Sequence, residues 1–347
     1  VTVYSTSQRT RALLLLIVSI LYIEAVEVFS SYVTLPLAGS NYFFLIYEGL
    51  RLALLLAGFI LLIRLQPRSA EPAFFRDTRR ALGWRADDET KFQLATGAAV
   101  GWGIALALVL PMVLAGGLQI YFDRSPAAWT ALALTFAATA LGAAVRQTIF
   151  AGFPLQRLVD AGGPVVATIA MALFAAITQS QELRGNAVAL LTVFLVQVLF
   201  CVAALRTRAL WLGWTLDVAA RLTLGAAIGL PVAGSGKYAS VILSNSRAPE
   251  WLSGGTYGPV ASMVAPLVVL AAIYVVVRAT RIDVIANIRP GGIALDLEAR
   301  HAPSYPAAEA VVVPAAGASL VQILPIAPAP PAPTHSPKPN DDIVGHK

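Results

Sequence analysis

All three histidines, His301, His335 and His346, follow the last long apolar run of this 347-residue chain. Peptide hydrolysis inside a bilayer needs a serine or cysteine with a base, a pair of aspartates, or a metal held by histidines and carboxylates. With no histidine among the apolar runs, a histidine-based site buried in a membrane is excluded. The single cysteine, Cys201, lies inside an apolar run. It builds neither a disulfide framework nor a thiolate metal site, and its expected role is packing. Acids and one base do occur in the first two apolar runs: Glu24, Glu27, Glu48 and Arg51. Counted by helical rise, Glu24 and Arg51 lie at similar depths, about 10 to 12 Å from the outer face, which predicts an intramembrane ion pair acting as structural glue. Glu27 and Glu48 lie nearer that face, where a proton or ion pathway is the alternative to simple wetting. The stretch GLPVAGSGK, Gly229 to Lys237, has a superficial phosphate-loop look. Tyr238 follows its lysine and no strand precedes it, so it reads as an outer loop.

The elements that must position these residues are helices in lipid. Hydrophobic residues make up 57% of the chain and charged ones 13%. Its mean hydropathy is +0.72, so water is not the main solvent. Eight apolar runs read as spans: 12–29, 44–63, 94–114, 131–155, 165–178, 188–205, 210–230 and 260–277. The expected fold is all-α, a polytopic transmembrane bundle of about eight helices. Glu24 and Glu27, with no clear small-residue cleavage site, make the first run a retained anchor rather than a signal peptide.

Cytoplasmic loops carry the excess of Lys and Arg. Arg9 and Arg11, the cluster from Arg64 to Lys91, Arg157, Arg206, Arg208, Arg278, Arg281 and Arg289 fall on one side, and only Arg124, Arg184, Lys237 and Arg247 on the other. An even number of spans then puts both termini in the cytoplasm. The net charge of +6 follows from this distribution and from contact with anionic lipid, so nucleic acid is not an expected partner. The divisions expected are residues 1–11 as a cytoplasmic N-terminus, 12–281 as the membrane domain, and 282–347 as a disordered Pro/Ala-rich cytoplasmic tail. The repeated prolines of 325–339 favour extended polyproline II, solvated or docked on a proline-reading module. The apolar stretch 311–324 is too short and interrupted to span.

The segment RQTIFAGFPLQR, Arg146 to Arg157, followed by Gly163, Pro164 and the run 168–174, resembles the core of the CPBP family, the CAAX-protease and bacteriocin-processing (Abi) type of intramembrane metalloprotease. The stretch Leu205, Arg206, Thr207, Ala209, Leu210, Trp211 is similar to the segment preceding that family's last catalytic motif, and Thr256 to Pro259 is similar to the segment opening its final helix. The likeness covers roughly Ala81 to Arg278. It implies a bacterial plasma (inner) membrane protein, to which Val1, readable as a GTG start, adds a hint.

The family's catalytic residues are replaced. Its first motif has two glutamates, three residues and an arginine; Phe150 and Gly152 match, but Arg146 and Gln147 stand for the glutamates and Ala151 for the arginine. In the second motif Phe174 matches while Thr178 stands for the histidine. Asp217 and Arg221 fall where the third has histidine and asparagine. A cation cannot bind a metal, and Gln147 and Thr178 are poor zinc ligands, so no metal or other cofactor is expected and no catalytic residue is assigned.

Counted from the cytoplasmic ends, Arg146 lies about 17 Å deep, Thr178 about 21 Å, and Asp217 and Arg221 about 14 to 20 Å, all near the midplane. Charges at that depth face a bundle interior or a cavity. The resemblance and the depths together predict a vestigial polar cluster of Arg146, Gln147, Thr178, Asp217 and Arg221, with an arginine in place of the metal's charge and paired to Asp217. Separate snorkelling is the alternative. The expected function is that of a catalytically inactive CPBP-like protein that binds or stabilises an unidentified membrane protein in the lipid bilayer. Its rivals are an active CPBP-type metalloendopeptidase and a small-solute or ion carrier.

Overall fold

The computed structural model describes residues 6–65, 82–180, 183, 186–232 and 241–287. The compact unit it forms runs Val1–Arg289. The Pro-rich tail, the stretch 311–324 and most of the basic second connection lie outside the described residues, as do residues 233–237 of the glycine loop. The elements are α1 (Thr6–Thr34), α2 (Phe43–Arg64), α3 (Thr90–Leu114), β1 (Leu118–Phe122), α4 (Pro126–Phe150), α5 (Phe153–Gly162), α6 (Pro164–Gln179), α7 (Ala187–Thr207), α8 (Trp211–Arg221), β2 (Ile242–Ser246), α9 (Glu250–Ser253) and α10 (Ala265–Asn287).

Five segments, Thr10–Leu37, Phe43–Arg64, Thr90–Leu114, Pro126–Gly162 and Ala187–Thr207, are long and apolar enough to cross a membrane. Pro164–Gln179 and Ala265–Thr280 are shorter apolar helices. The shortest of the five has 21 residues, enough for a hydrocarbon layer of about 30 Å. Their outward faces are apolar: Leu21, Leu61, Leu106, Phe136, Val165 and Leu267 are all exposed. An exterior of this kind is stable in lipid and not in water. The chain is thus an all-α, multi-pass membrane protein, with one short strand pair among the described residues.

The two largest groups of buried apolar side chains among the described residues form layers. One joins α1, α2, α4 and α5 through Ile23, Val26, Leu55, Phe59, Val145 and Phe153. The other joins α3, α7, α8 and α10 through Leu108, Met112, Phe200, Leu216 and Val269. Within the second layer α3 and α8 come into backbone contact. A Cβ at Gly97 would stand 2.5 Å from the Leu212 carbonyl oxygen, and one at Gly101 would stand 2.5 Å from that of Leu216. This small-residue pair, four apart, lets two membrane helices approach where lipid supplies no hydrophobic drive. Arg206 ties α7 to α10 by donating from Nε to Thr280 Oγ1 at 2.6 Å and from Nη2 to the Val277 carbonyl at 3.2 Å.

Several elements depart from the expected spans. The run read as 131–155 is broken: α4 ends at Phe150, and Ala151 and Gly152 lead into α5, whose Pro154 suits a first turn. The run read as 210–230 is α8 followed by a π-helical turn, Leu222–Ala227. The last helix begins at Ala265, after the 3-10 turns Gly255–Tyr257 and Pro259–Ala261. The strands β1 and β2 pair antiparallel, with Leu118 opposite Ser246 and Phe122 opposite Ile242, tying the α3–α4 connection to the exit from α8. Gly229, in the loop between, has φ 75° and lies so close to the Ile242 carbonyl that only glycine fits.

At the opposite end, tryptophans fasten the chain entering α3. Trp84 Nε1 donates to Thr148 Oγ1 at 3.1 Å, and Trp211 Nε1 to the Arg85 carbonyl at 2.8 Å. Their rings stack edge to face, 5.0 Å apart.

Candidate functional site

The seam between the two layers is where charge collects. On α4, Val145 and Ile149 belong to the first apolar layer, and on α8, Leu212 and Leu216 belong to the second. Arg146 and Asp217 follow Val145 and Leu216 directly, so each points along the seam. Asp217 is 4% exposed. Its Oδ2 accepts from Arg146 Nε at 2.9 Å, with Arg146 Nη2 at 2.8 Å, and its Oδ1 accepts from Arg221 Nε at 2.7 Å, one helical turn further along α8. One buried carboxylate is therefore held between two guanidinium groups.

A second charged group flanks it toward the α1–α2 connection. Arg51 on α2 pairs with Glu48 at 3.2 Å and with Glu27 of α1. It also lies over the Tyr47 ring, 5.0 Å from the centroid, while the Tyr47 hydroxyl donates to Glu27. The two groups meet above Gly142: a Cβ there would stand 3.3 Å from Glu48 Oε1 and 3.4 Å from Arg146 Nη1. Across both groups, Arg51, Arg146 and Arg221 balance Glu27, Glu48 and Asp217. Six charges in lipid are costly singly, and this alternation offsets them.

Two cavities adjoin the seam. The larger, about 370 Å³, descends from the exposed Ser40 and Asn41 past Phe44, Glu48 and Leu134 to Arg146 and Arg221. The smaller, about 90 Å³, lies on the other side and is lined by Asp217, Gln179, Thr192 and Gln197 among apolar neighbours. It has room for a few water molecules. Arg146 and Arg221 line both cavities and Asp217 only the smaller, so the ion pair forms the partition.

Of the five residues expected to cluster, the structure brings together Arg146, Asp217 and Arg221. Gln147 is near them in sequence but turns to Gly213 of α8, where a Cβ would come within 2.5 Å of its Oε1. It is 1% exposed and neither amide atom meets a hydrogen-bond partner among the described residues. Thr178 does not join: it is exposed, and its hydroxyl donates to the Ala175 carbonyl of its own helix at 3.0 Å. The residues that α6 buries are Ala167, Met171, Ala172 and Ala175, and Thr178 lies beyond the last of them, in the final turn of the helix.

The expected Glu24–Arg51 pair is not formed. Arg51 meets Glu27 and Glu48 instead, and Glu24 is exposed. The inward stripe of α1 runs through Ile23, Val26 and Ser30, and Glu27, one turn from Ile23, lies at its edge while Glu24 looks away. Gln179, Thr192 and Gln197 are cavity residues that went unremarked in the sequence, the only hint being polar residues inside apolar runs. Cys201 is buried, with Gln197 Nε2 3.4 Å from its Sγ, as fits a packing role.

Among the described residues no three His, Cys, Asp or Glu side chains come together as a metal-binding group. Asp217, the acid nearest the centre, has an arginine on each oxygen. Outside the membrane segments, Asp123 accepts from the Ser125 backbone N–H at 2.9 Å, and this bond holds its carboxyl below the usual aspartate value. Ser125 in turn caps α4 by accepting from the Ala128 N–H at 3.2 Å. Comparisons with known protein families, with curated proteins and with solved structures find no match to this chain.

Proposed function

We propose that the chain is a CPBP-like protein of a bacterial plasma membrane that no longer hydrolyses peptides and acts by binding or stabilising a membrane protein partner. The observation that carries the reading is the doubly clamped Asp217. At the positions where the resemblance expects metal-ligating glutamates and histidines stand Arg146, Gln147, Thr178 and Asp217. The one carboxylate among them has both oxygens engaged by arginine. A divalent metal does not fit these residues: it would face two guanidinium charges and a single acid, short of the three protein ligands of a catalytic zinc site. The ion pair then occupies the place of the metal's charge. The excess of Lys and Arg in alternate loops supports both termini being cytoplasmic, with the β1–β2 pair on the outer face.

The test is gentle detergent purification of the full chain, followed by identification of co-purifying proteins and measurement of bound metal. A reproducible membrane partner with metal well below one per chain supports the reading. One zinc per chain, or cleavage of a membrane peptide that chelators abolish, overturns it.

The carrier reading keeps one specific support, the cavity that leads from the exposed Ser40–Asn41 loop to the charged seam. Solute flux into liposomes holding the purified chain separates it from the first.

A further inference from the structure

The larger cavity has a charge arrangement that selects a chemical class of ligand. Its wall carries the Glu48 carboxylate and its floor the Arg146 and Arg221 guanidinium groups, and Glu48 and Arg146 border the same narrow notch above Gly142, where even a Cβ would stand only 3.3 and 3.4 Å from them. Arg51 holds Glu48 from behind at 3.2 Å, and a carboxylate with one arginine partner retains lone pairs for a further donor. Arg146 is engaged with Asp217 through Nε and Nη2, which leaves Nη1 toward the notch. An acceptor for a cation and a donor for an anion thus stand side by side.

Net charge narrows the choice. The three arginines and three acids of the seam already balance. A purely anionic or purely cationic ligand would bring an unpaired charge into a poorly solvated site, whereas a zwitterion leaves the balance intact. Between the polar mouth at Ser40 and Asn41 and the charged floor the wall is mostly apolar, with Phe44, Leu45, Ala131, Leu134 and Ala138 alongside the hydroxyls of Thr135 and Thr139. Its volume, about 370 Å³, falls at the small end of ligand pockets.

We infer that this cavity is a binding site for an apolar α-amino acid, with Glu48 receiving the ammonium group, Arg146 the carboxylate, and Phe44, Leu45 and Leu134 the side chain. Ligand enters past Ser40 and Asn41. The site stands apart from the proposed protein partner, because it depends on the cavity and not on what the outer helix faces touch.

The experiment is binding of L-leucine to the purified full chain in detergent, by calorimetry and by thermal shift. The comparison compounds are 4-methylpentanoate, which keeps the carboxylate alone, and 3-methylbutylamine, which keeps the amine alone. Leucine is expected to bind, with each single-charge analogue weaker by about tenfold or more. Gly142→Val fills the notch while keeping every charge, and is expected to abolish leucine binding while the chain still elutes as a folded species. Glu48→Gln provides a second variant, expected to lose leucine binding while binding 4-methylpentanoate no more weakly than the parent chain does. Absence of binding by leucine and by the other apolar amino acids, equal binding of either analogue, or undiminished binding by folded Gly142→Val overturns the inference. Co-purification of a membrane partner with Gly142→Val, unchanged from the parent chain, shows that loss of this site and loss of the partner role are separate outcomes.

Discussion

Arg146 Nε stands 2.9 Å from Asp217 Oδ2, and this contact links α4 of one apolar layer to α8 of the other. Helices meeting in lipid gain little from hiding apolar surface, so a buried ion pair at such a seam is one of the few interactions that can fix which faces meet. Removing one member leaves the others charged in a poorly solvated place.

Asp217→Ala leaves two guanidinium groups facing each other across a partition. The expected cost is about 3 to 5 kcal/mol, seen as lower accumulation in membranes and a lower melting temperature in detergent. Replacing the set together, Arg146→Met with Asp217→Leu and Arg221→Met, should recover most of that stability. Unchanged melting of Asp217→Ala, and of Arg146→Ala, would dispose of the ion pair as a structural element.

Gly97 and Gly103 on α3 make a matched pair. At Gly97 a Cβ would press on the Leu212 carbonyl, while at Gly103 it meets nothing within 4 Å. Gly97→Ala should destabilise by about 1 to 3 kcal/mol through forced separation of α3 and α8. Gly103→Ala should be neutral or stabilise by up to about 1 kcal/mol through helix propensity. Thermal melting of the two variants side by side reads the difference, and equal effects would contradict the close approach.

Glu24 and Glu27 should part company under substitution. Glu24→Leu places an apolar side chain on an exposed, lipid-side face and should shift the melting temperature by no more than about 2 °C. Glu27→Leu strips Arg51 of one of its two acids and deprives Tyr47 of its acceptor, and should lower melting by about 3 °C or more. The reverse order would restore the pairing expected from depth alone.

Gln147 buries an amide with no hydrogen-bond partner for either end among the described residues. Gln147→Met keeps the length and removes the polarity, and should raise stability by about 1 to 3 kcal/mol. A fall in melting temperature on that change would mean that the amide has a partner it needs. Gly213→Ala, which pushes against the same amide oxygen, should be destabilising in either case.

The bundle was legible in the sequence because apolar runs of spanning length are an unambiguous signal, and so was the charged character of its interior. Axial depth is also readable from a residue count, and together with the family resemblance it is why Arg146, Asp217 and Arg221 were expected together. Azimuth was not. Glu24 and Glu27 differ by three residues, yet which of them faces inward depends on how α1 is rotated against its neighbours, and Thr178 falls in the last turn of α6, beyond the residues that helix buries. Helix breaks escaped for a related reason: Ala151–Gly152 and the π turn after Arg221 interrupt hydrogen bonding without interrupting hydropathy. The strands LQIYF and ILSNS were invisible because each is five residues long and its partner lies far away along the chain.

That last separation sets a clock on assembly. Leu118 pairs with Ser246, so β1 leaves the ribosome long before the strand that completes it. At a synthesis rate of about 5 to 20 residues per second, the wait is on the order of ten seconds. Throughout that interval the segment between α3 and α4 presents unpaired backbone groups and the exposed side chains of Ile120 and Phe122 to whatever insertion machinery holds it. Closing the ribbon is therefore a late step in assembly, completed only after α1 to α8 have been made.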